Sequence, residues 1–104
     1  MSNSFEDVEV KLERARLTLR ILGQVQGVGF RFFIRKAVAG LPIDGWVRNE
    51  DDGTVSIVAE GPVEELNKLL EAVSEGPDEA EVDDVEVSWT SAFGDFEGFR
   101  VKLW

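Results

Sequence analysis

The amino-acid sequence predicts an α+β fold in which a mainly antiparallel sheet carries two helices on one face. Several stretches alternate apolar and polar residues, as half-buried strands do, and two other stretches have the apolar spacing of amphipathic helices. Glycine, proline and acidic residues separate these stretches, as in turns. A length of 104 residues suits a single domain of this kind.

The first part of the chain predicts a strand, a loop and a helix in succession. Alternation over Arg16–Leu22 indicates a half-buried strand. Three glycines within the seven residues Gly23–Gly29, here called the glycine loop, predict a turn. The apolar spacing over Phe30–Leu41 is helical, and Gly40 and Pro42 mark the end of that helix.

The remainder predicts a strand pair, a second helix and two further strands. A hairpin turn containing glycine joins predicted strands over Ile43–Asn49 and Thr54–Glu60. The second helix is predicted over Pro62–Glu75, because proline fits the first helical position and Gly-Pro follows the last. Alternation predicts the last two strands over Val82–Trp89 and Phe99–Leu103.

This order of elements is the split βαβ pattern of a ferredoxin-like α+β sandwich. We expect it to occupy residues 15–104 as one domain. Residues 1–14 lack strong periodicity and contain Ser, Asn and several acids, which predicts a flexible N-terminal extension. The fold alone says little about function, because many activities share it.

Composition excludes several classes of chemistry. Without cysteine there can be no disulfide, thiol nucleophile or thiolate metal site, and without histidine the commonest general base is missing. A formal net charge of −10 argues against non-specific binding to nucleic acids. The charge is uneven, however. Lys11–Arg48 carries eight cations and two acids, whereas the rest of the chain carries three cations and 19 acids, so an anion is drawn to the first half.

We expect a cytoplasmic protein without membrane attachment. No apolar run is long enough to span a bilayer. The first residues, MSNSFEDVEVKLER, lack the charged start and apolar stretch of a secretory signal.

The glycine loop and the start of the first helix form a candidate anion site. Consecutive backbone N–H groups in a glycine-rich turn can converge on an anion, and a helix N-terminus favours the same anion. Arg31 falls in the first helical turn, where a cation without a bound anion is unfavourable by roughly 0.3–1 kcal/mol. Its guanidinium matches two phosphate oxygens. The alternative is that the glycines only allow a sharp turn.

Asn49 is the second candidate site residue. It ends a predicted strand just before the hairpin turn, and its amide both donates and accepts hydrogen bonds, so it can hold and orient a water molecule. The alternative is a turn-forming asparagine, which is the usual role of this residue near glycine.

Two segments resemble the signatures of the acylphosphatase family. These are IxGxVQGVGFR at Ile21–Arg31 and GWVRNxxxGxVxxxxxG at Gly45–Gly61, in the family's order and spacing. The resemblance implies direct hydrolysis of acyl phosphates to a carboxylate and inorganic phosphate, with no metal, no cofactor and no covalent intermediate. It assigns phosphate binding to Arg31 and water orientation to Asn49. It assigns a further phosphate contact to the backbone of Gln26, Gly27, Val28, Gly29, Phe30 and Arg31.

The resemblance also implies the partners: a small-molecule acyl phosphate as substrate, inorganic phosphate or sulfate as a ligand of the same site, and no nucleic acid or membrane. We expect a monomer. Two alternatives stay open. One is a noncatalytic module of the RNA-binding kind, against which the acidic charge argues. The other is an acylphosphatase-like module of a carbamoyl-phosphate-handling maturation enzyme, whose further domains and zinc-binding cysteines this sequence lacks.

The other conspicuous residues are expected to have structural roles. We expect Arg20, Arg35 and Arg48 to be solvated or ion-paired, and Trp46 and Trp89 to pack in the core or on a sheet face. The acidic runs are expected to be solvated loops, because a metal site needs converging ligands.

Overall fold

The computed structural model describes residues 13–103 as five strands and two helices. In chain order these are β1 (Arg14–Gln24), α1 (Phe30–Val38), β2 (Asp44–Asn49), β3 (Val55–Pro62), α2 (Val63–Glu75), β4 (Glu81–Ser91) and β5 (Phe99–Lys102). Neither α1 nor α2 is long and apolar enough to cross a membrane.

All five strands form one sheet in the order β4-β1-β3-β2-β5. Neighbouring strands are antiparallel except β2 and β5, which run parallel. Because β3 lies between β1 and β2 and is antiparallel to both, β1 and β2 run in the same direction and end at the same edge of the sheet. This architecture confirms the predicted ferredoxin-like α+β fold.

The core lies between one face of the sheet and the two helices. Its side chains come from alternate strand positions and from one stripe of each helix, among them Leu17, Leu19, Ile21, Phe30, Ile34, Val38, Leu66, Leu69 and Val73, none more than 5% exposed. Full burial of one such side chain contributes about 1.5–3 kcal/mol. The strand register is therefore well determined, because a slip by one residue would turn these side chains to the opposite face.

Two predicted helix boundaries are wrong. α1 ends at Val38 rather than Leu41, because Gly40 adopts φ +79° and the Leu41 N–H donates to the Val38 carbonyl at 3.0 Å, which closes a turn. Pro62 is the last residue of β3 and the N-cap of α2, with an extended backbone, and not the first helical residue.

β1 is longer than its alternation predicts. It continues into the glycine loop as far as Gln24, which pairs with Glu81 of β4, and the register shifts between Leu22 and Gly23. At Gly23 φ is +131°, and a Cβ atom would lie 2.1 Å from the Glu81 carbonyl oxygen. This irregularity therefore requires glycine, for its backbone and for the close approach of β4.

The predicted N-terminal extension, residues 1–14, falls mostly outside the described residues. Of this range the structure describes only the last two. The Glu13 carbonyl accepts the Val63 N–H at 3.2 Å, and Arg14 is the first residue of β1, opposite Pro62.

A buried carboxylate anchors the link between β4 and β5 on the helix-free face of the sheet. Glu60 is 1% exposed and accepts the N–H groups of Phe93 and Gly94 at 2.8 and 2.9 Å and Nε of Arg16 at 2.8 Å. The Arg16 guanidinium also lies over the Phe93 ring, 4.1 Å from its centroid. Burial alone would raise the pKa of Glu60, but these donors outweigh burial and hold the pKa below its usual value.

Candidate active site

Strand direction brings the predicted site residues to one edge of the sheet. β1 leads into the glycine loop at this edge, β2 ends there at Asn49, and β5, parallel to β2, ends there at Lys102. Val55 at the start of β3 is paired with Ile21 on one side and with Asn49 on the other. Since neighbouring strands are about 4.8 Å apart, the backbones of β1 and β2 are about 10 Å apart here.

The glycine loop brings a run of backbone N–H groups to this edge. Gly27 and Gly29 have φ +74° and +76°, and a Cβ atom on either would meet no atom within 4 Å. Glycine is therefore required for backbone conformation and not for space. Gly29 is the N-cap of α1; within residues 13–103 no side chain caps this helix, and its first turn contains no acidic residue. The first-turn N–H groups can therefore donate to an external anion.

Arg31 lies in the first turn of α1 and is half-buried. Its Nη1 donates to the backbone carbonyl of Lys102 at 3.0 Å, which holds the guanidinium against the end of β5. A guanidinium has five N–H donors, and this contact uses one. Among the described residues this contact leaves further N–H donors of the oriented guanidinium available to an anion. The sequence did not predict the contact with Lys102.

Asn49 is the last residue of β2 and is half-buried. Its pairing with Val55, which is fully buried, places it on the helix-covered side of the sheet. The hairpin turn follows at once, closed by the Glu50 N–H, which donates to the Thr54 carbonyl at 2.9 Å. Asn49 thus belongs to the strand and precedes the turn.

Gln26 connects the glycine loop to the same hairpin turn. Its Nε2 donates to the backbone carbonyl of Glu50 at 2.7 Å and to that of Thr54 at 2.9 Å. The family resemblance implied a role in the site only for the backbone of Gln26. No sequence signal identified these two side-chain contacts, which span 24 and 28 residues.

Two arginines form ion pairs with acidic residues of the hairpin turn. Arg48 donates through Nε to Glu50 at 2.8 Å, and Arg20 is paired with Asp52, so for these two arginines the ion-paired one of the two expected states is found. The hydroxyl and N–H of Thr54, together with Arg20, lower the pKa of Asp52 to about 2, and the hydrogen bond from Arg48 lowers the pKa of Glu50. Both carboxylates are therefore ionised and too weakly basic to be good general bases.

The aromatic residues near this edge differ in exposure. Trp46 packs on the helix-free face, with the Arg48 and Lys102 cations 4.8 and 4.5 Å from its ring centroid. Trp89 was expected to be packed but is 40% exposed, because β4 is an edge strand. Phe32, next to Arg31, is 60% exposed. Within residues 13–103 no acidic side chains group closely enough to hold a metal ion.

Comparison with known sequences identifies the same family that the two signature segments resemble. The family model described as acylphosphatase matches residues 17–101. An acylphosphatase of Salinibacter ruber is 54% identical over an alignment that covers 84% of this chain and 92% of the relative.

Comparison with solved structures gives the same result. The crystal structure of acylphosphatase from Bacillus subtilis superimposes with a TM-score of 0.81 and 35% identity, over 85% of this chain and 98% of that one. A phosphate- and nucleotide-bound full-length HypF matches with a TM-score of 0.74 over 12% of its length; at 22% identity this match shows a shared fold alone. The chain belongs to the acylphosphatase family.

Proposed function

We propose that this acylphosphatase cleaves the carboxyl–phosphate bond of acyl phosphates by direct attack of water on phosphorus. The water oxygen forms a new bond to phosphorus while the bond from phosphorus to the acyl oxygen breaks, which releases a carboxylate and inorganic phosphate. The water proton passes to a phosphate oxygen. The carboxylate leaves without protonation, because its conjugate acid has a pKa of about 4.

The phosphate is held by Arg31 and by the backbone N–H groups of Gln26–Arg31. The left-handed glycines and the uncapped start of α1 supply N–H donors, and the contact with Lys102 orients the guanidinium beforehand. A guanidinium can contact two phosphate oxygens at once, which fixes the orientation of the phosphate and stabilises its charge in the transition state.

The attacking water is held by the Asn49 amide, which can donate to or accept from it. Phosphoryl transfer needs little covalent assistance from the protein, so catalysis by position and charge suffices. This suits a chain without histidine or cysteine, in which the two carboxylates of the hairpin turn have lowered pKa values.

One observation carries the proposal. Asn49 and the glycine loop lie at the same edge of the sheet, on strands that run in the same direction on either side of Val55. This arrangement supports the proposal, because it brings together two separate segments, the ones that resemble the family signatures, to which we assign phosphate binding and water orientation.

Hydrolysis of benzoyl phosphate in ¹⁸O-labelled water tests the proposal. Direct attack on phosphorus places the label in inorganic phosphate and leaves benzoate unlabelled, and the rate is unchanged when a metal chelator is added. Label in the benzoate would show attack on the carbonyl carbon, and loss of activity with chelator would show that the reaction needs a metal.

A further inference from the structure

Both N–H donors of the Gln26 side chain are occupied within the protein. Nε2 is within hydrogen-bonding distance of two backbone carbonyl oxygens, those of Glu50 and Thr54 at 2.7 and 2.9 Å. A primary amide has two N–H donors, and both partners are acceptors, so each takes one. The orientation of the amide is therefore fixed by its partners.

This arrangement leaves no N–H donor on the side chain for a phosphate. The remaining polar atom of Gln26 is Oε1, which only accepts hydrogen bonds, and the phosphate oxygens of an acyl phosphate dianion are acceptors as well. The side chain and the backbone N–H of Gln26 therefore have different roles, and only the N–H belongs to the proposed phosphate site.

The hairpin turn is closed without the help of Gln26. Its Glu50 N–H donates to the Thr54 carbonyl at 2.9 Å, and its Gly53 N–H donates to the Glu50 carbonyl at 3.2 Å. What Gln26 adds is a connection between this closed turn and the glycine loop. Because Asn49 directly precedes Glu50, the connection links Asn49 to the loop in addition to the backbone pairing of β1, β3 and β2.

We propose that Gln26 is a positioning residue for hydrolysis, whose side chain sets the distance between the phosphate-binding loop and Asn49. This inference rests on the function proposed above, in which Asn49 holds the attacking water. Misplacement of a reacting group by 1 Å lowers a rate by about 100-fold. Loss of the two hydrogen bonds should therefore lower kcat more than it weakens phosphate binding.

Three substitutions separate the donor function from side-chain size. Gln26→Met keeps the length but has no donor, Gln26→Glu puts an acceptor against two carbonyls, and Gln26→Lys restores donors. We expect kcat to fall roughly 10–100-fold for Met and Glu, with the phosphate inhibition constant within about 2-fold of wild type, and to recover largely for Lys. Asn67→Leu is the control for loss of an exposed side-chain amide, because Asn67 lies on α2, outside the proposed site, and it should retain wild-type kcat.

A double-mutant cycle with Asn49→Ala tests whether Gln26 acts through Asn49. In the Asn49→Ala background, Gln26→Met should lower kcat by less than about 2-fold, because the group that it positions is gone. Equal reductions in both backgrounds would overturn the inference, as would a Gln26→Met enzyme with wild-type kcat or one whose phosphate affinity falls as much as kcat. Failure of the proposed function gives a different result, since Asn49→Ala alone would then retain wild-type kcat.

Discussion

Arg31 donates to the backbone carbonyl of Lys102 at 3.0 Å, which joins the first turn of α1 to the end of β5. The two residues are 71 positions apart, so the contact exists only in the folded chain. A carbonyl orients a guanidinium without neutralising it, whereas a carboxylate partner would compete with the phosphate. Within residues 13–103 the contact found for Arg31 is this neutral carbonyl, and in the proposed mechanism it orients the guanidinium beforehand and so lowers the cost of organising the site.

We predict that Arg31→Ala lowers kcat/KM for benzoyl phosphate by about 10³-fold or more, because the main cationic contact with the phosphate is lost. Arg31→Lys should also be severely impaired, because an ammonium cannot contact two phosphate oxygens with a rigid fork. Steady-state kinetics checks both variants, with circular dichroism to show that the fold is kept.

The control for this prediction is Arg35→Ala. Arg35 lies one turn further along α1 and is exposed, and its substitution changes the net charge by the same unit. It should leave kcat/KM close to wild type. If Arg35→Ala were as impaired as Arg31→Ala, general electrostatic attraction and not a specific contact would explain the loss. An active Arg31→Lys enzyme would rule out the two-oxygen contact.

We predict that Asn49→Ala lowers kcat by about 100-fold while the inhibition constant of phosphate changes little, because Asn49 is proposed to hold water and not phosphate. Turnover of benzoyl phosphate and competitive inhibition by phosphate measure the two quantities separately. Weakened phosphate binding with normal kcat would reverse the assignment and make Asn49 a phosphate ligand.

The sequence predicted the order of elements, because period and turn residues are local signals. It did not predict the contacts that fix the site. The Gln26 and Arg31 side chains bond to backbone carbonyls of Thr54 and Lys102, and any residue at those positions has a carbonyl. Such contacts follow from strand register, which periodicity does not specify between distant segments.

The burial of Glu60 is a second feature that the sequence could not predict. Val55, Ile57 and Ala59 alternate onto the core side of β3, so alternation alone would leave Glu60 exposed on the other face. Instead the link after β4 covers it, and its donors include the N–H of Phe93, 33 residues away. A helix-free face is covered here by a segment without regular structure, for which the sequence has no periodic signal.

We predict that Glu60→Gln destabilises the protein by about 1–3 kcal/mol at pH 7, because the amide cannot accept from all three donors and Arg16 loses the buried one of its two ionic partners, Asp95 being the other. The pKa of Glu60 is lowered in the folded state, so its contribution is present above the unfolded pKa and is lost as the pH falls through the folded pKa. The difference in stability between wild type and variant should therefore narrow below pH 4.5.

Urea denaturation at pH 7 and at pH 3 measures this difference. Glu97→Gln is the control, because Glu97 is exposed in the same link between β4 and β5 and its substitution removes the same charge. It should be nearly neutral at both pH values. A Glu60→Gln penalty as large at pH 3 as at pH 7 would show that packing and not the ionised carboxylate is responsible.

The last prediction concerns free phosphate, which is a product of the reaction and should occupy the preformed site. It should inhibit competitively and stabilise the folded chain, because the unfolded chain lacks the left-handed glycines and the oriented Arg31. At 100 times its dissociation constant, phosphate would add about 2.7 kcal/mol. The net charge of −10 opposes binding at long range, but salt screens it beyond roughly 8 Å, so the short contacts should dominate.

Thermal unfolding in phosphate and in chloride at matched ionic strength tests the prediction. Wild type and Arg35→Ala should show the phosphate-induced rise in Tm, and Arg31→Ala should lose most of it. Sulfate should act like phosphate, because it presents similar oxygens to the same donors. An equal rise in all three proteins would mean that phosphate stabilises them as a salt excluded from the surface, which acts on any folded chain and needs no site. Only a rise that depends on Arg31 places the anion at the start of α1.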